Sequence, residues 1–235
     1  MTGPALADPR LTDVADHAVL VEFADVLCDA AHAAVLQLDR ALGIASVPGL
    51  REVVPAFVSL LVVFDPMLTD HRAIAAAIRQ AMALPATALA KGQLRVVQVC
   101  YDTAFAPDMD AVCRQTGLSP DGVIAAHLAG DYRVFMYGFA PGYAYLGGVP
   151  AGLHLPRKAA PVRDMAAGSV MIAGPQCLVT TLQMPTGWWV IGRSPTRILD
   201  TGSARPFLFD VGDTVQFRRI DRHGFDIAQR EGTDG

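Results

Sequence analysis

Along the first third of the chain the apolar positions change period several times, and each change marks an element. Residues 16–23, DHAVLVEF, alternate as a strand does, and residues 27–42 then place Val35, Leu38 and Leu42 at helical spacing, with Gly43 where a helix would stop. After the Val47-Pro48-Gly49 turn, residues 51–54 and 57–64 read as two strands. The run LLVVF in the second is that of a strand covered on both faces, at the centre of a small sheet. Thr69 is placed to cap a second helix, with Asp70 near its positive end and Ile74, Ile78 and Met82 on one face, and Leu84-Pro85 ends it. Strand, helix, two strands, helix predicts an α+β sandwich of the ferredoxin-like type over residues 1–90.

Residues 85–92 are small and polar without a period, which marks a linker. A strand over 94–101 and helices over 108–117 and 120–130 follow; Ser119, Pro120, Asp121 and Gly130 punctuate the second helix as N-cap, first position, first turn and stop. From Tyr132 the helical period vanishes. Apolar runs such as 169–173 and 188–191 are broken by Pro-Gly, Gly-Gly, Ala-Gly and Thr-Gly pairs, and GDTVQFRRI reads as a closing turn and strand. Short strands joined by tight turns predict a mainly β domain closed into a barrel over residues 91–225. Residues 226–235 read as a polar tail.

Composition narrows the function classes. A formal charge of −4 over 235 residues, with only two lysines, argues against a nucleic-acid partner. No run of about 18 apolar residues suggests a membrane span, and the amino terminus shows no secretory pattern, so the expectation is a cytoplasmic protein with reduced cysteines. Neither Lys91 nor Lys158 lies in a P-loop, and HExxH, GxSxG and GxGxxG are absent. The six scattered histidines give no metal-ligand spacing, so no metal site is expected.

The candidate chemistry therefore rests on the turn-rich segment. Arg157, Arg163 and Arg193 lie beside Pro, Gly or other turn residues, where a guanidinium can grip a carboxylate with two hydrogen bonds or can instead pin a loop. Phe139, Tyr143 and Tyr145, around Pro141-Gly142, read as a pocket lining, a barrel plug or a partner face. Trp188 and Trp189 alternate across a strand, one inward and one outward, which adds Trp188 to that aromatic set.

Four segments carry a resemblance: GFAPGYAYLGG, LPRKAAPVR, AAGSVMIAG and GWWVIGRSP. In this order and spacing they resemble the bacterial 5-oxoprolinase B-subunit family, also called allophanate hydrolase subunit 1, which includes an inhibitor of a sporulation histidine kinase. The resemblance implies a cyclophilin-like barrel as the second domain. It implies one component of an enzyme, working with two companions, a carboxyltransferase-like C subunit plus an A subunit, to open the lactam of 5-oxo-L-proline to L-glutamate. ATP is then a co-substrate of the assembled enzyme, because phosphorylating the oxygen of an amide makes it a better electrophile. The alternatives are a component of a urea carboxylase or allophanate hydrolase-type enzyme acting on a small amide, and a binding module that inhibits a histidine kinase.

By the same resemblance Gln176 matches a glutamine that could hydrogen-bond an amide. His127 matches a histidine just before the YRV strand; it reads equally as a cation at a helix end. Where the family continues QTGIYP, this chain has Gln176-Cys177-Leu178-Val179-Thr180-Thr181, which removes a glycine and a Tyr-Pro pair from one wall of the expected site.

Overall fold

The computed structural model describes residues 8–85 and 92–231. The chain divides into two compact units, Met1–Ala90 and Lys91–Gly235. Most of the linker expected at residues 85–92 lies outside the described residues.

The first unit runs β1 (Arg10–Val14), β2 (Ala18–Glu22), α1 (Asp29–Ile44), β3 (Leu50–Pro55), β4 (Ser59–Phe64) and α2 (His71–Met82). Its sheet is antiparallel in the order β1-β2-β4-β3. The strand beside β2 thus comes from a hairpin before it, through the largely exposed β1, which the sequence pattern did not reveal. Val35, Leu38 and Leu42 of α1 and Ile74 and Ile78 of α2 pack on Val19, Val21, Leu60, Val62 and Phe64. The helices cover one face only, so β4 alternates between buried and half-buried residues instead of being covered on both sides. The cap of α2 is Asp70, whose carboxylate accepts the Ala73 N–H at 2.8 Å, and not Thr69.

The second unit continues with β5 (Leu94–Cys100), α3 (Met109–Thr116), α4 (Pro120–Leu128), β6 (Tyr132–Tyr137), β7 (Ala144–Gly147), β8 (Val162–Met165), β9 (Ser169–Ala173), β10 (Gln176–Val179), β11 (Met184–Thr186), β12 (Trp189–Arg193), β13 (Thr214–Ile220) and α5 (Arg222–Glu231). Seven strands close into a barrel in the order β10-β7-β6-β13-β5-β12-β9, with β8 and β11 forming a separate ribbon. Every pairing in the barrel is antiparallel except β5 with β13. The five consecutive buried residues of β9 follow from cover on two sides. Val170 and Ile172 enter the barrel core beside Val97, Val134 and Phe217, while Met171 and Ala173 join an outer cluster with Tyr143, Leu178 and Trp188. Buried residues of α3 and α4, among them Val112 and Ile124, pack into that same barrel core.

The β5–β13 seam is tied by Asp213. Its carboxylate accepts from the Gln93 N–H at 2.7 Å, Arg95 Nε at 2.7 Å and the Asp210 N–H at 3.0 Å. Burial works to raise the pKa of Asp213, but these donors outweigh it and hold the carboxyl below its usual range. The backbones approach so closely that a Cβ on Gly92 would lie 2.0 Å from the Gly212 oxygen.

Residues 226–231, expected as tail, belong to α5 instead. Asp221 accepts the Gly224 N–H at 2.7 Å, and Phe225 is buried with its ring 4.4 Å from that of Phe105. One buried aromatic in an otherwise polar segment anchors the helix, and a count of polar residues misses it. Among the described residues no helix is long and apolar enough to cross a membrane.

Candidate functional site

Two surfaces of the second unit gather candidate residues. The first is an aromatic ladder on the outer wall of the barrel. Phe139 lies 5.4 Å from Tyr143, Tyr143 5.6 Å from Tyr145, and Tyr145 6.0 Å from Trp188 by ring centroids, and the Arg157 guanidinium stands 5.6 Å from the Trp188 ring. Burial drives up the hydroxyl pKa of Tyr143, with the Tyr145 ring adding to it and Arg157 opposing. The ladder's tip is unusual: Phe139 has φ +73°, a left-handed conformation that costs a non-glycine residue energy, yet its side chain is 75% exposed. Three backbone hydrogen bonds within residues 138–143, including Ala140 N–H to Gly138 O at 2.9 Å, fix this turn.

The second surface is a polar cavity of about 240 Å³ at the barrel end where β9 begins and β10 and β12 finish. Its walls come from residues 167–168, 180–181 and 193–199, with Gln229 from α5. Gly168 makes this junction possible: its φ is +81°, its carbonyl accepts the Ser194 N–H at 2.8 Å, and a Cβ there would lie 2.4 Å from the Ser194 oxygen. Thr180 Oγ1 accepts the Ser169 N–H at 2.9 Å and donates to Ala166 O at 2.9 Å. Thr181 Oγ1 donates to Pro141 O at 2.8 Å, and Gly142 packs between Thr181, Phe207 and Leu199. AAGSVMIAG and GWWVIGRSP therefore supply wall residues of this cavity, and GFAPGYAYLGG packs behind Thr181 and Leu199 without lining it.

Arg193 is held in the cavity wall. Its Nε donates to Ala167 O at 3.1 Å, and its guanidinium carbon lies 5.6 Å and 5.8 Å from the Phe105 and Phe225 ring centroids. The cation–π contacts and the single Nε bond orient the guanidinium and leave its two terminal nitrogens with no hydrogen-bond partner among the described residues.

The other expected residues are dispersed. Arg157 belongs to the ladder; Arg163 is exposed on β8. Gln176, half-buried, opens β10 and pairs with Gly147 and Ala173. Neither Arg157, Arg163 nor Gln176 lines the cavity. His127 lies inside the protein: its Nδ1 meets the Tyr101 hydroxyl at 2.8 Å, its Nε2 meets Cys177 Sγ at 3.5 Å, and the Phe217 ring is 4.5 Å away. It is fully buried, and burial pushes its pKa down to about 3, so it is a neutral core residue and neither a helix-end cation nor a group that lines the cavity. Trp189 donates to Pro156 O at 2.7 Å on the side of the barrel core, while Trp188 takes the outer side.

Several groups in the cavity wall, or packed behind it against Arg193, escaped sequence reasoning. Ser194 and Thr196 follow Arg193 directly and could have been flagged from that adjacency. Phe105, Phe225 and Gln229 gave no such signal, because only α5 brings the last two to the site. Among the described residues no three His, Cys, Asp or Glu side chains come together as a metal-ligand group.

The architecture is that of a known class. Residues 9–209 match the family described as "Carboxyltransferase domain, subdomain C and D". The fold aligns with the urea amidolyase of K. lactis at a TM-score of 0.80 and 15% identity, over 97% of this chain and 16% of that one, a likeness of fold alone. It aligns with TTHA0988 at a TM-score of 0.77 and 31% identity, over 87% of this chain and 40% of that one, so this chain spans about two fifths of that larger protein. Among curated proteins, the 5-oxoprolinase B subunit of Bacillus subtilis (strain 168) is 30% identical over 234 residues, 94% of this chain and 97% of its own length. The counterpart from Haemophilus influenzae is 33% identical over 157 residues, 67% of this chain and 74% of that protein. The chain belongs to the 5-oxoprolinase B-subunit family.

Proposed function

We propose that this protein is one component of an ATP-dependent 5-oxoprolinase, which opens the lactam of 5-oxo-L-proline to L-glutamate together with two companions, a carboxyltransferase-like C subunit plus an A subunit. The observation that carries this reading is the end-to-end likeness to the B subunit of the Bacillus subtilis enzyme. Two signature segments that line one cavity, with a third packed behind its wall, support it.

The division of labour follows from what this chain has and lacks. A lactam carbonyl is a poor electrophile; transfer of a phosphoryl group from ATP to its oxygen prepares the carbon for attack by water. The sequence has no P-loop, so ATP is held at a site of another kind or chiefly by a companion. The tip of the aromatic ladder is the face for that companion: the exposed Phe139 ring stands on the buried Tyr143, and the exposed Arg157 cation lies over the buried Trp188, an aromatic and an arginine of the kind interfaces favour. The purified chain mixed with its companions is expected to release glutamate from 5-oxo-L-proline only when ATP is present. A reconstituted complex that shows no ATP-dependent release overturns the assignment.

A further inference from the structure

The cavity at the barrel end has an excess of hydrogen-bond donors and positive charge that its own structure does not consume. Arg193 and Arg197 both line it, and no carboxylate does among the described residues. Arg197 stands 3.7 Å from Asp200, outside that lining, whereas the only hydrogen bond of the Arg193 side chain among the described residues is with a backbone carbonyl. The neighbouring cavity, lined by Arg95 and Arg205, is different: Arg95 is paired with Asp213 at 2.7 Å and Arg205 with Asp210 at 2.5 Å. Ser194 and Thr196 add further donors. Ser194 Oγ accepts the Thr196 N–H at 3.1 Å and Thr196 Oγ1 accepts the Gln98 N–H at 3.1 Å, so each hydroxyl is fixed as an acceptor while its own hydrogen has no acceptor among the described residues.

We propose that this cavity is a binding site for a small monocarboxylate, with the Arg193 guanidinium as a two-pronged donor and the Ser194 and Thr196 hydroxyls completing the grip. Three features select a carboxylate from among anions. The fork is planar and matches two coplanar oxygens. One unneutralised guanidinium balances a single negative charge. The volume of 240 Å³ equals about eight waters at ~30 Å³ each, which gives room for a small ring acid. Phe105 and Phe225 act as positioning residues: their rings, 4.4 Å apart, pack together on one side of the guanidinium, so α5 is part of the site although it is distant in sequence from the signature segments. That the acid is 5-oxo-L-proline rests on the function proposed above; that it is a carboxylic acid rests on this geometry.

The test compares two lactams on the full chain without companions. Ligand-observed NMR or calorimetry with 5-oxo-L-proline is expected to show saturable binding, and 2-pyrrolidinone, the same ring without its carboxylate, is expected to show none. Arg193→Lys keeps the charge and loses the fork, and its affinity should fall about ten- to a hundredfold, the weight of one or two hydrogen bonds to a charged group. The control Arg72→Met, exposed on α2, should bind as wild type does. Thermal melts of each variant separate lost binding from lost folding. Equal binding of the two lactams, or unchanged affinity in a folded Arg193→Lys protein, overturns the carboxylate site. If the chain alone binds nothing while the reconstituted enzyme turns over, the site is refuted and the enzyme assignment stands. Binding without turnover in the complex refutes the assignment and keeps the site.

Discussion

Acidification below pH 6.5 should destabilise the barrel through His127, and by a predictable amount. An imidazole in the unfolded chain titrates near 6.5, whereas His127 in the barrel is held down to about 3 by burial. As pH falls below 6.5 the unfolded chain takes up a proton that the folded one refuses. The stability contributed by the neutral form is complete above that pH and declines by about 1.4 kcal/mol per unit until the folded value is reached. At about pH 5 the loss is about 2 kcal/mol, a large share of the stability of an ordinary domain. The perturbation that isolates it is the double replacement His127→Phe with Tyr101→Phe. Changing His127 alone strands the Tyr101 hydroxyl, now bonded at 2.8 Å, at a cost of about 1–3 kcal/mol; changing both removes the polar pair together. Both tryptophans, Trp188 and Trp189, lie in the second unit, so their fluorescence during urea unfolding reports that unit. Between pH 7 and about pH 5 the wild type should lose about 2 kcal/mol more than the double variant. A difference below about 0.5 kcal/mol, within the scatter of such comparisons, refutes the reasoning.

Further outcomes follow from strained or buried positions. Phe139→Gly relieves the positive φ and should leave barrel stability unchanged or raise it by about 1 kcal/mol, while weakening association with the companion protein; sedimentation of the mixture and a urea melt check both halves, and a clear drop in stability would show that the exposed ring is structural. Asp213→Ala leaves Arg95 and two backbone N–H groups without their carboxylate, and should cost about 3–5 kcal/mol in the same fluorescence assay. Since the folded pKa of Asp213 is depressed, its contribution is present above the ordinary Asp value and is lost on acidification, so Asp213→Asn should flatten the acid limb of the stability curve.

The sequence made the larger plan legible where a periodic signal is strong. The helical spacing of Val35, Leu38 and Leu42 and the Ser119-Pro120 start of α4 led directly to real helices, and the loss of helical period after Tyr132 led to the barrel. β1 was invisible because RLTDV buries almost nothing; it is a strand by virtue of pairing with β2, not by its own pattern. Arginine in a turn-rich stretch was a sound search rule but a poor discriminator. Arg163 is exposed on β8 and Arg157 stands over a tryptophan, and of the three Arg193 is the one that lines the polar cavity, because Gly168 lets the β9 and β12 ends touch. His127 shows the same gap. Its identity was visible, but its surroundings come from β6, β10, β13 and Tyr101 just past β5, and only those decide that it stays neutral.

The parallel seam between β5 and β13 sets the order in which the second unit can be made. Leu94 pairs with Thr214 and Cys100 with Ile220, so the first strand of the barrel to leave the ribosome waits for nearly the whole unit before its neighbour exists. Until then β5 carries an unpaired edge and Val97 and Val99 lack the core they are buried in, a state open to misassociation during synthesis. The first unit, whose pairings all fall within residues 10–64, has no such delay and can fold while the barrel is still being translated.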